Sequence, residues 1–257
     1  MSLEEREQKA LARWKPPHDT LYNRGLTAIG VGVSRLIMRG MNSLTIEGGH
    51  RFDALLSRGD RGLLTFSNHV SLFDDPFLVS NLRLPGYTEI RWVGADAINF
   101  FGSRPMAHVF SRGKCVPIVR GAGLEQPGLD FLRERLLEGG WVHMFPEGGR
   151  TREPNGMLGH SPKAGIGRLM AEAHPIALPF YHYGMQDVLP VGAKMPRWRK
   201  KVRMVWGEPM DCDLLANELG GTSGPRLWDA LTERTYSVLR EMEVAIHPLA
   251  TQAEAVS

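Results

Sequence analysis

His69 and Asp74 have the residue types and the spacing for general acid–base chemistry. They stand in SNHVSLFDDP, residues 67–76, directly after the apolar run from Gly62 to Phe66. An imidazole whose Nδ1–H is held by a carboxylate keeps one tautomer, and its other nitrogen becomes a competent base for an alcohol proton. Residues five apart on a helix are ~140° out of phase. The two side chains therefore meet only if His69 occupies a strand-to-helix turn and Asp74 lies near the helix start. Asp75 before Pro76 reads as an N-cap and first helical position, with a helix over Pro76 to Leu82. Ser71 and Asp74 offer an alternative start through the S-x-x-D spacing of a capping box. Spacing alone does not decide the matter, because the chain has nine histidines and HYGMQD repeats the pattern at His182 and Asp187. Taken alone, Asp74 and Asp75 could simply cap a helix, with His69 a surface turn residue.

Three further segments hold groups suited to a phosphorylated, acylated substrate. GKCVPIVRG places Arg120 just past a buried strand, where a guanidinium suits bidentate capture of phosphate or serves only as a solvated charge. FPEGGRT, residues 145–151, runs a strand into a turn. There Gly148 and Gly149 let backbone N–H groups face a ligand, Glu147 could accept from a glycerol hydroxyl and Arg150 could bind phosphate. HPIALPFYHYG supplies a proline-interrupted apolar strand, either core or the lining of an acyl tunnel.

These groups need elements to position them. Apolar runs at Leu44–Ile46, Leu63–Phe66, Trp92–Ala95, Cys115–Val119, Trp141–Phe145, Pro175–Tyr183 and Val202–Trp206 read as strands. Helical patterns at Phe52–Leu56, Leu129–Leu137, Lys163–Ala173 and Leu227–Ile246 alternate with them. The stretch from Ala97 to Gly113 reads as helix or loop with aromatic residues. Alternation of this kind predicts an α/β domain, a single sheet covered by helices on both faces, with ligands at strand ends. Residues 46–257 are assigned to that domain and 1–45 to an N-terminal amphipathic helical segment. Within the latter, Tyr22, Leu26, Ile29, Val33, Leu36, Ile37 and Met41 recur at steps of three and four. Arg24, Arg35 and Arg39 gather opposite them. The pattern serves equally a helix packed on the domain and one lying in a membrane interface with its arginines among headgroups.

Composition bounds the alternatives. Of 257 residues, 42% are hydrophobic and 23% charged, the profile of a folded chain, and the net charge is +3. A broad nucleic-acid footprint needs more basic excess, whereas clustered arginines and the basic run from Arg197 to Lys201 suit an anionic lipid surface. Cys115 and Cys212 show no ligand spacing, and no metal or redox cofactor is called for. The N-terminal residues, with Glu4, Glu5 and Glu7, resemble no secretory signal, and no run has the length and apolarity of a transmembrane helix. The nucleophile-elbow, Walker A, dinucleotide-fingerprint and zincin patterns are absent.

In order and together, NHVSLFDDP, GKCVPIVRG, GGWVHMFPEG, the segment from Gly165 to Pro190 and the final WGEP resemble the glycerolipid acyltransferase superfamily. The closer resemblance is to the tafazzin family of phospholipid–lysophospholipid transacylases. It covers roughly Leu63 to Pro209 and implies His69 as catalytic base oriented by Asp74. It also implies Asn68, Asp75, Arg120, Glu147, Gly148, Gly149 and Arg150 as substrate-binding residues, no cofactor, and action as a peripheral protein on the cytosolic or matrix-like face of a membrane. His182 falls outside the family's active-site motif and is then a structural or lining residue. Arg150 is a feature shared with the acyl-CoA-dependent lysophosphatidate acyltransferases, so an acyl-CoA or acyl-carrier-protein donor is the alternative. An inert lipid-binding protein is the reading from another class.

Overall fold

The computed structural model describes residues 2–83, 86–159, 161–220 and 224–250. Two helices lead, α1 (Leu3–Arg13) and α2 (Leu21–Arg35), the second continued by a π-helical turn over Leu36–Met41. A capping box starts α1: Ser2 Oγ accepts from the Glu5 N–H, and the Glu5 carboxylate accepts from the Ser2 N–H. The Thr20 hydroxyl caps α2 through the Asn23 N–H.

The domain proper begins with β1 (Ser43–Glu47), α3 (Gly49–Leu56), β2 (Leu63–Ser67) and α4 (Asp74–Val79). It continues through β3 (Trp92–Asp96), α5 (Ala97–Phe101), α6 (Arg104–Arg112), β4 (Cys115–Ile118), α7 (Pro127–Leu137) and β5 (Trp141–Met144). The remainder is α8 (Gly165–Ala173), β6 (Ile176–Tyr183), α9 (Met185–Val188), β7 (Lys201–Trp206), β8 (Met210–Asp211), α10 (Cys212–Glu218) and α11 (Pro225–Ile246). The expected division after residue 45 falls within β1, which pairs with β7 from Ser43 to Glu47. Residues 251–257 of the expected domain lie outside the described residues.

Among the described residues the strands form one sheet in the order β1-β7-β6-β2-β5-β3-β4, with β8 added beside β6. β6 runs antiparallel to β7 and β8, and the other pairings are parallel. The carboxyl ends of β2, β3, β4, β5 and β6 therefore share one edge, and the predicted site residues follow those ends.

As expected, helices cover both faces of the sheet. Period-2 alternation divides β2 between them. Leu64 and Phe66 join Leu132, Ile166 and Leu231 from α7, α8 and α11 on one side. Leu63 joins Phe52, Leu78 and Met185 from α3, α4 and α9 on the other. Each such side chain withdrawn from water contributes about 1.5–3 kcal/mol, which holds the central strands rigid under their site-bearing ends.

One local expectation is corrected. The helix after the histidine begins at Asp74, one residue before the expected cap, with Phe73 at the N-cap position and no capping side chain. Asp75 is thus inside the helix and is held elsewhere. The period of α2 is as expected, and its apolar stripe faces outward. Ser34 and Met38 are its buried contacts, while Tyr22, Ile29, Val33 and Leu36 are exposed. Ser34 Oγ donates to the Pro76 and Phe77 carbonyls, Arg35 to Ser80 and Leu82, and Arg39 to Asn81, all at the end of α4. Cations at a helix C-terminus satisfy its free carbonyls, so Arg35 and Arg39 bind the protein. Arg24 pairs with Asp19.

Candidate active site

His69 lies two residues past the last residue of β2, where the ladder has ended and the chain turns toward α4. Four contacts fix it. The His69 N–H donates to Glu147 Oε1 at 3.3 Å, and its carbonyl accepts from the Thr151 N–H at 2.7 Å. The ring stacks on Phe145, with centroids 4.0 Å apart and planes at 19°. Nδ1 is 2.9 Å from Asp74 Oδ2. Three of these partners belong to FPEGGRT, so the third motif holds the first. Asp74 is itself buried, and its Oδ2 also accepts from the backbone N–H groups of Val70 at 2.7 Å and Ser71 at 2.8 Å. The Ser71 contact is half of the expected capping box; the Ser71 hydroxyl instead donates to the Leu189 carbonyl. With Asp74 on Nδ1, the ring is held with Nε2 as the nitrogen free for a substrate proton.

Behind the dyad lies a buried polar layer. Asp75 and Arg91 form a bidentate pair, Arg91 Nε donating to Oδ1 at 2.8 Å and Nη2 to Oδ2, with both side chains over nine-tenths buried. Burial alone would raise the Asp75 carboxyl, but the guanidinium outweighs it and holds the acid below its ordinary value. His143 is fully buried against Phe180 and hydrogen-bonds Thr65 Oγ1 at 3.0 Å; desolvation pushes it down to about 4. His182, also buried and lowered by desolvation, places Nε2 3.1 Å from the Asn68 carbonyl and 3.7 Å from Asp74 Oδ2. The Asn68 side chain bonds both the N–H and the carbonyl of His182, which locks the ends of β2 and β6 together.

In front of the dyad is a cavity of about 680 Å³. Its walls are mainly apolar, with Leu26, Ile29 and Val33 of α2, Phe73 and Phe77, Val109 and Phe110 of α6, and Ile118. His69, Asp75, Arg120, Gly148 and Gly149 line it, as do Arg91 and Asp96. Arg120 Nε is 3.0 Å from Asp96 Oδ2, and a Cβ on Gly149 would meet the Arg120 guanidinium at 3.4 Å, so the second and third motifs adjoin. The Gly148 backbone has φ +65°, a conformation glycine adopts freely, and its N–H already donates to the Phe145 carbonyl. Among the described residues the Gly149 N–H has no backbone acceptor.

Of the expected substrate-binding residues, Asn68, Glu147 and Arg150 do not line this cavity. Asn68 is the strand clamp just described. Glu147 accepts the His69 N–H on Oε1 and the Gly159 N–H on Oε2, the latter at 3.0 Å, so it holds the His69 backbone; burial pushes its carboxyl up against these two donors. Arg150 is exposed. Sequence reading missed Arg91, Asp96 and His143. Asp96 carried a signal, a charge closing an apolar strand beside Arg120, whereas Arg91 and His143 sit within or against apolar strands without a spacing to mark them. Phe101 is fully buried and Phe100 packs edge-on to Phe110 at 4.7 Å, so this pair is core and cleft wall.

A sheet that gathers His69, Asp74 and a glycine turn at one edge, opening on an apolar cavity, has the architecture of an α/β enzyme with a candidate acid–base site. A profile of the family described as Acyltransferase matches residues 44–183, and the chain belongs to that family. Among its relatives are the tafazzins of Drosophila melanogaster (33% identical over 194 residues) and Dictyostelium discoideum (36% over 199 residues). These alignments span 72% and 70% of this chain but only 50% and 66% of the relatives' own lengths. The N-acylphosphatidylethanolamine synthase of Arabidopsis thaliana is 33% identical over 165 residues, covering 59% of this chain and 57% of that protein. The crystal structure of the 1-acyl-sn-glycerophosphate acyltransferase of Thermotoga maritima has the same fold, with a TM-score of 0.59 over 88% of this chain and 80% of its own, at 18% identity.

Proposed function

We propose that the protein transfers acyl chains between phospholipids and lysophospholipids, without a cofactor, using His69 as general base. His69 Nε2 takes the proton of a lysophospholipid hydroxyl as that oxygen attacks the acyl ester carbon of a donor phospholipid. Asp74 accepts the Nδ1–H throughout and stabilises the imidazolium. The Gly149 N–H, with Arg120 beside it, faces the developing oxyanion, where one preorganised donor is worth about 3–4 kcal/mol. Collapse breaks the original ester bond, and the departing lysolipid oxygen takes the proton back from His69. One ester is exchanged for another, so no activated donor is needed. The observation that carries the reading is the oriented His69 ring in the wall of an apolar cavity large enough for lipid chains.

Substrates of this kind reside in a bilayer. The outward apolar residues of α2 adjoin the cleft, whose lining includes Ile29 and Val33, and Leu72 and Val109 are exposed on the same rim. Each such side chain entering lipid contributes about 1.5–3 kcal/mol. The loop bearing exposed Met195 and Trp198 is tied to the end of the same arm, Arg199 N–H donating to the Met41 carbonyl. We assign these surfaces to interfacial docking; among the described residues no helix is long and apolar enough to cross a membrane.

Arg150 favours a second reading, an acyl-CoA or acyl-carrier-protein donor with 1-acylglycerol-3-phosphate as acceptor. The experiment is incubation of the purified protein with acyl-labelled phosphatidylcholine and a lysophospholipid in the absence of CoA. Label appearing in the former lysolipid supports transacylation. Transfer seen only after acyl-CoA or acylated carrier protein is added supports the second reading. Label on the amine of phosphatidylethanolamine would overturn the hydroxyl acceptor.

A further inference from the structure

A second cavity, of about 630 Å³, lies between the α1–α2 connection, the start of α2 and α6, and nothing in the acyl-transfer reading uses it. Arg13, Lys15, His18, Arg104, His108 and Arg112 line it, and no acidic side chain among the described residues does. Asp19, next in sequence, has both carboxylate oxygens bonded by Arg24, at 2.7 and 2.6 Å. Four permanent cations thus line one space with no acidic side chain among its lining residues, and the summed potential is matched by an anion. Arg13 also donates through Nη1 to the Phe101 and Gly102 carbonyls.

A second, independent feature lies at the cavity's buried wall. Ser111 and Asn23 are 4% and 6% exposed, and Ser111 Oγ and Asn23 Oδ1 have no hydrogen-bond partner among the described residues. The same holds for Arg112 Nε, although Arg112 Nη1 is fixed on the His108 carbonyl at 3.0 Å. Buried polar atoms are normally paired; these three belong to residues that line one cavity, and a ligand entering it would supply their missing partners. Their chemistry describes it. Ser111 and Arg112 offer donors to an anionic oxygen. The Asn23 amide nitrogen is held by the His18 carbonyl at 2.7 Å, which fixes Oδ1 as an acceptor and therefore calls for a hydroxyl. The rim carries Tyr22, whose hydroxyl is 3.0 Å from His108 Nε2, and Tyr22 and the neighbouring Leu21 begin the outward apolar face of α2.

We propose that this cavity binds a phosphate group with a nearby hydroxyl, the headgroup of an anionic polyol phospholipid, as a site distinct from the acyl-transfer cleft, with which it shares only Arg112 as a lining residue. Its placement beside the outward face of α2 rests on the docking surface proposed above; its anion chemistry does not. The bound lipid would fix the angle at which α2 meets the bilayer.

The test uses the full chain and Lys15→Glu/Arg104→Glu, two exposed residues that do not line the cleft holding His69. Expected is a loss of at least about tenfold in partition onto phosphatidylcholine vesicles containing phosphatidylglycerol, with partition onto pure phosphatidylcholine unchanged. Acyl exchange in neutral micelles should also be unchanged, which separates this site from the transfer chemistry. sn-Glycerol 3-phosphate should raise the melting temperature of the parent and not that of the variant. Ser111→Ala, which keeps the charge, should weaken that response. Equal stabilisation of the parent by inorganic phosphate would overturn the headgroup assignment in favour of free phosphate. The same loss of partition in the charge-matched control Arg226→Glu/Arg234→Glu, with no melting response to either ligand, would overturn the site altogether.

Discussion

His69 with Asp74 and His182 with Asp187 are the same five-residue step, borne on adjacent strands of one sheet, and only the first forms a dyad. The difference lies in where the strand stops. β2 ends at Ser67, so His69 is in the turn and its ring faces the cavity; β6 runs on to Tyr183, so His182 is still laddered to Met204 of β7 and its ring points into the core. Gly184 then turns the chain with φ +101° and sends Asp187 to the surface. His182 does approach a carboxylate, but it is Asp74, the other motif's acid. Spacing supplies candidates, and strand length chooses between them.

That contrast can be broken most severely at Asp74. Asp74→Asn removes the negative charge that stabilises the His69 imidazolium, so exchange should fall about 100–1000-fold, read as initial rates in the CoA-free assay. Asp75→Asn leaves Arg91 buried and charged without its partner; denaturant titration should show a loss of about 3–5 kcal/mol in stability, with activity following the folded fraction. His143 sharpens the picture through pH. Its folded value is depressed to about 4 from an ordinary 6.5, so its contribution is fully present above about 6.5 and is lost as pH falls through about 4. The expected loss is about 3 kcal/mol across that window, and stability measured against pH should be flatter in His143→Asn. Asp187→Ala, the acid of the silent copy, should change stability by less than about 0.5 kcal/mol and leave the exchange rate unchanged.

The alternation of strands and helices was legible because central strands buried on both faces read as continuous apolar runs. The position of His69 was legible for the same reason: the run ends just before it. What sequence could not show is which way a periodic helix faces. The period of α2 defines an apolar stripe, but Arg35 and Arg39 find carbonyls at the end of α4, and that distant satisfaction turns the stripe outward. Asp75 before Pro76 has the form of a cap, yet its partner is Arg91, sixteen residues on. Glu147 was read toward substrate because its turn lies at a strand end; the competing claim came from two backbone N–H groups, of His69 and Gly159. α1 falls within the segment assigned as helical, but no apolar period singled it out, although Ser2 and Glu5 carry the capping-box signature.

The central claim is that the histidine in the cavity wall, and not the fully buried one, takes the substrate proton. Its most direct test is CoA-free exchange measured side by side on His69→Gln and His182→Gln, with melting temperatures for both. The prediction is a fall of about a thousandfold or more for His69→Gln at an unchanged melting temperature. His182→Gln should melt lower and stay within about tenfold of the parent in rate. A His69→Gln protein that retains exchange within a few-fold, beside a folded His182→Gln protein that has lost it, would contradict the account.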